Sequence, residues 1–230
     1  MAADQTTEAP EPIEVFAQRD LDRALQRTDR VPVLRGGGLF RVAGRKAVDA
    51  RDAARVVARG HARVRAAEGA IVHAFEHARV WAGDDAEVRA LDDAVVLVRD
   101  AALVSAAGRA QVIALGRATI EARQIARVTA AGDVQVTARD EARVCAGGDA
   151  VVRGFDRSST DAWGQVRVEA NDDARVFAHD RVDVLASKGA VVCASRDAHV
   201  RRLPVADVAL EPAAAHPARP PAQVNAELQP

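Results

Sequence analysis

The chain has no tyrosine, five phenylalanines and two tryptophans, and its 49% hydrophobic share is made mostly of alanine and valine. An ordinary globular core draws much of its buried area from leucine, isoleucine and aromatic rings, so that kind of interior is excluded. Whatever core exists must be thin. Lysine is scarce, at Lys46 and Lys188 alone, and the abundant arginine is balanced by acid to a net charge of −1. That balance removes any bulk electrostatic case for nucleic acid or an anionic membrane surface. Two cysteines, Cys145 and Cys193, do not make a disulfide framework. No apolar run approaches the length of a membrane span. The opening "MAADQTTEAPEP" lacks the basic and apolar regions of a signal peptide, so the cytoplasm is the expected compartment.

What is present is a repeat. From Lys46 to Asp197 an eight-residue phrase recurs nineteen times without insertion or deletion, as in "ARVWAGDDAEVRALDDAVVLVRDA". With Lys46 as position one, position three is valine in every octad except at Ile120 and Thr160. Position five is alanine except at Val98 and Gly154, and position one is mostly alanine. Positions two and four vary and are often charged. Alternation with a period of two marks a strand with one buried face. Position seven is mostly Asp or Gly, residues that tolerate left-handed backbone. Each octad therefore reads as a five-residue strand and a three-residue corner. Spacings of two and eight cannot sustain a 3.6-residue helical stripe, and recurring valine favours strand. The fold class that follows is all-β, a parallel β-solenoid (β-helix) whose coils stack about 4.8 Å apart.

The outward position four tells how many octads make a coil. Every sixteenth residue from Asp49 gives a mostly apolar column that includes Trp81, Leu97, Ile113 and Phe177. The alternate column, with His73, Arg89, Glu121 and Arg153, is mostly polar. A period of twenty-four separates them less well, so two octads per coil are expected. Four segments follow. Residues 1–12 and the Pro/Ala-rich tail 204–230 read as disordered. Residues 13–45 read as a small α/β cap, and 46–203 as the solenoid. In the cap, "IEVFA" suits a strand, and "DLDRALQR" places Leu21, Ala24 and Leu25 on one helical face behind Asp20 as N-cap. Phe16, Leu21 and Leu25 are expected to cover the first coil. At the far end, Arg201, Arg202 and Pro204 should discourage a further strand.

The octads, preceded by "DLDRAL…VPVL", resemble uncharacterised octapeptide-repeat proteins of high-GC bacteria and their phages over residues 13–200. Their period is also similar to that of ice-nucleation protein repeats. The first resemblance implies the solenoid fold and brings no activity with it; the second covers the period alone.

Chemistry is sparse. Nineteen uninterrupted octads leave no inserted loop of the kind that usually carries catalysis. No P-loop, dinucleotide fingerprint or nucleophile elbow occurs. "RGGGLF" at 35–40 is followed by strand-like residues rather than the helix a phosphate cradle needs. His61 and His77 share a corner column with Asp93, near His73, and could hold a divalent metal; solvated corners are the preferred reading. Asp52, Glu68, Asp84 and Asp100 form a carboxylate column that could attract Ca²⁺, but glycines continue it, which marks a turn. Cys145 and Cys193 lie three coils apart, about 14 Å, too far for a disulfide.

The remaining candidate is a face. Position two beside the apolar column carries Arg63, Arg79, Arg127, Arg143 and Arg175. Arginine and aromatics together are what binding surfaces enrich. The expected function is thus a non-enzymatic scaffold, without cofactor, that binds a protein partner or itself through Arg63, Arg79, Trp81, Leu97, Ile113, Arg127, Arg143, Arg175 and Phe177. A homodimer is the simplest form. Ice binding or another extended-surface ligand is the alternative, disfavoured by sparse threonine; an enzyme would need its site in the cap.

Overall fold

A computed structural model describes residues 12–27 and 30–203. The two expected disordered ends fall, residue 12 excepted, outside the described residues.

Two parallel sheets of 12 and 11 strands face each other, and from Leu39 onward consecutive strands alternate between them. Sheet A takes Ala47–Ala50, Arg63–Ala66 and every second strand to Val191–Ala194. Sheet B takes Leu39–Val42, Arg55–Ala58 and every second strand to His199–Arg202. Along this run each strand pairs with the one sixteen residues away; Val96 lies between Val80 and Val112. Two octads therefore make one coil, and the molecule is a β-solenoid of about twelve turns.

Most strands are four residues long, not five, and span positions two to five. Position one belongs to the corner, yet its side chain still points inward; Ala62 and Ala94 are fully buried. The corner explains this. The N–H of position one donates back to the carbonyl of position six, as Ala54 does to Arg51 at 3.1 Å. Between them position seven takes a positive φ in coil after coil, from Asp52 at 56° to Asp180 at 51°. The interior is one continuous file of valines and alanines. Each buried valine contributes about 1.5–3 kcal/mol. One place breaks the pattern three times: Gly154, Ser158 and Thr160 stand where Ala, Ala and Val are usual, and both hydroxyl residues are buried. A Cβ on Gly154 would come within 2.9 Å of Ser158 Oγ.

The helix Gln18–Arg27 covers the N-terminal end. Leu21 and Ala24 join Val15, Leu34 and Phe40 in the core, with Leu25 packed against it. Three expectations for this segment change. The helix begins before Asp20, whose N–H already bonds the Ala17 carbonyl, so Asp20 lies in the first turn and is not the N-cap. Phe16 stands outside the core and is 64% exposed, so it does not cover the first coil. Glu14–Val15 pairs with Val33–Leu34 at the sheet edge, and alternation that turns Val15 in turns Phe16 out. The strand pairing also reaches back beyond Lys46, because Leu39–Val42 pairs with Arg55–Ala58 and buries Phe40 at position three. The other end is bare among the described residues. Val191, Val200 and Leu203 are 52%, 39% and 44% exposed. Arg201 and Arg202 sit on the last described strand itself, with Arg202 at the position five that alanine usually fills. No helix among the described residues is long and apolar enough to cross a membrane.

Candidate functional site

Alternation along each strand of sheet A sends positions two and four outward, and the sixteen-residue register stacks them into two columns. Leu97 lies against Trp81 on one side and Ile113 on the other. Phe177 lies against Asp161 and Cys193. Trp81, Ile113 and Phe177 are exposed, while Leu97 is half-buried between its neighbours. Asp49 departs from the pattern. It belongs to the outward column but is buried at the cap junction, near Val31. Its Oδ2 meets Arg51 at 3.2 Å and its Oδ1 has no hydrogen-bond partner among the described residues.

The arginine column is built as expected. Arg63 pairs in register with Arg79, and Arg127 with Arg143; Arg175 follows beyond Ser159. None of the five makes an ion pair with a described residue. Like charges in register on adjacent strands repel, so folding alone does not explain them. Beside this column runs the corner column of position eight. There Arg109 holds Asp93 with two hydrogen bonds of 2.8 and 2.7 Å, and Arg157 pairs with Glu141. The Arg109 guanidinium holds the Asp93 carboxyl below its ordinary value. The two columns enclose an open groove of about 690 Å³, lined by Gln111, Arg127, Arg143, Arg175 and Phe177 on the sheet side.

The candidate metal set does not converge. His61 and His77 stack as parallel rings, with centroids 5.2 Å apart and 16° between planes. Asp93 is engaged by Arg109. No group of three His, Cys, Asp or Glu side chains among the described residues is placed to share a metal ion. The position-seven acids have another use. Glu68 accepts the N–H of Asp52 at 2.8 Å, and Asp140 accepts that of Gln124 at 2.8 Å. Each carboxylate ties its own corner to the corner one coil before. Both cysteines are free and exposed.

Sequence reasoning missed the outer parts of this face. Trp163 at position six is 40% exposed and stacks on His179 at 5.2 Å; His179 in turn meets Asp161 at 2.9 Å. Leu115, also at position six, is 42% exposed. The sixteen-residue frame puts both in one column, a signal that could have found them, but alternation gives no direction for a corner residue. No family model, curated protein or solved structure matches this chain.

Proposed function

We propose that this chain is a non-enzymatic scaffold that binds a protein partner through the outer face of sheet A. One observation carries the reading: five arginines without ion partners among the described residues stand beside a column that holds the exposed Trp81, Ile113 and Phe177 and the half-buried Leu97 on one sheet. A parallel sheet is usually covered on both faces, and the only helix among the described residues is occupied at the N-terminal end. An apolar strip of this length is seldom left without a partner. The test uses a photo-reactive amino acid in producing cells, placed at Ile113 on sheet A or at Glu121 on sheet B. Discrete adducts from position 113 and none from position 121 support the face. Equal labelling from both positions, or none from either, ends the reading.

A further inference from the structure

We infer that the partner is a second copy of this chain, packed sheet A to sheet A about a two-fold axis parallel to the solenoid axis. The inference rests on the proposed binding face and names its occupant. Such an axis reverses the strand direction and keeps each coil at its own height. With the axis set over position three, position two of one copy faces position four of the other in the same coil, and position eight faces position six.

The sequence at these positions is complementary to itself. At three heights the facing pairs are Arg79 with Trp81, Val95 with Leu97, and Arg175 with Phe177: two cations over aromatic rings and one apolar pair. Ser159 faces Asp161. On the flanks, Asp93 faces Arg99, so opposite charges meet; Asp173 faces His179, and Arg157 faces Trp163. Size matches as well. His77 faces Gly83 and Glu141 faces Gly147, so each bulky corner meets one with no side chain. The groove of about 690 Å³ between positions eight and two is where the other copy's Phe177 and Trp163 would enter. A like-charge pair is Arg63 with Arg65, at the end nearest the cap, and polar meets apolar where Arg109 faces Leu115 and Gln111 faces Ile113.

A two-fold axis perpendicular to the solenoid axis does worse. It inverts the coil order and lays position two against position two and position eight against position eight, so that at full overlap Arg63 meets Arg175 and Asp93 meets Glu141, two like-charge pairs. Translation or rotation without closure would leave a strip exposed at each end of a filament. The area suffices for the parallel pair. Ten coils at ~4.8 Å and a width of about five residues give roughly 800 Å² per partner, the size of a standard specific interface.

The native cysteines report the arrangement. Cys145 and Cys193 both stand at position four of sheet A. In the parallel pair each lies at the height of its own counterpart, about 12 Å away for sheets ~10 Å apart. In the antiparallel pair the two Cys193 residues lie at opposite ends. The full chain is to be sized by light scattering after gel filtration, then treated with a short bis-maleimide and mapped by mass spectrometry. The inference expects a mass twice the 24.3 kDa chain, Cys193–Cys193 links between copies, and loss of both in a folded Leu97→Asp, Ile113→Asp variant. Circular dichroism confirms that the variant is folded; Ile113→Asp alone serves if the double change unfolds. A dimer without Cys193–Cys193 links that still separates in the variant overturns the axis and leaves the face standing. A dimer that the variant does not disturb overturns both. A wild-type monomer at high concentration overturns the second copy, and the photo-labelling contrast between positions 113 and 121 then decides the face separately.

Discussion

Gly154 and Ser158 make sense only as a pair. In most coils position five is alanine, and the next position one is alanine as well. Here the second has gained a hydroxyl and the first has lost a methyl, with 2.9 Å between Ser158 Oγ and a Cβ built on Gly154. The hydroxyl is buried and has no hydrogen-bond partner among the described residues. Gly154→Ala alone should therefore overpack the corner and cost about 1–3 kcal/mol. Ser158→Ala alone should be neutral or stabilise by about 1 kcal/mol, since it removes an unsatisfied buried hydroxyl. Both together restore the common phrase and should exceed the parent in stability. Urea midpoints of the four proteins check this; additive effects within about 0.5 kcal/mol would show that the two sites do not touch. Both exceptions are visible in the sequence. Their coupling is not, because it depends on how one corner folds the chain back on itself.

Strands and corners differ in how far they could be read. Positions two to five were legible, since alternation with period two leaves one choice once the valines are placed inside. The columns of Arg127, Trp81 and Phe177 followed directly. Corner residues such as Trp163, Arg157 and Asp173 escaped, because their directions depend on the positive φ at position seven. The same corners carry the acid-sensitive contacts. Asp93 is held below its ordinary value first by its hydrogen bonds to Arg109 and then by that charge. Asp52 is lowered chiefly by hydrogen bonding with the Glu68 side chain, with the Gly36 N–H and Arg35 adding to it. A carboxyl with a depressed folded value stabilises fully above its unfolded value, about 3.9, and loses that contribution as pH falls through the folded value. Melting temperature should stay level from neutrality to about pH 4 and fall below it. Asp93→Asn should lower the plateau and shrink the fall; a fall beginning near neutrality would point to other groups.

At the scale of the whole molecule the two ends are unlike. The helix Gln18–Arg27 closes one end, and its central contact is Leu21, which is fully buried. An uncovered solenoid end offers unpaired backbone groups and apolar side chains to any copy that arrives. Leu21→Asp sets a charge against Val15, Leu34 and Phe40, so the helix should detach while the later coils persist. Far-ultraviolet dichroism should keep most of its strand signal, and light scattering should rise with time and concentration. A variant that stays clear and melts as the parent does would show that the helix is not what closes this end.

The sixteen-residue separation between paired strands has a consequence in time. Every closure after the first spans the same short length of chain, so each new coil meets the same entropic barrier however long the solenoid has grown. As the chain leaves the ribosome, a strand finds its neighbour among residues already made, and the capped end is made first. The molecule can therefore wind up in one direction, like thread onto a bobbin. Pulled from its ends, it should unwind in equal lengths, one coil at a time.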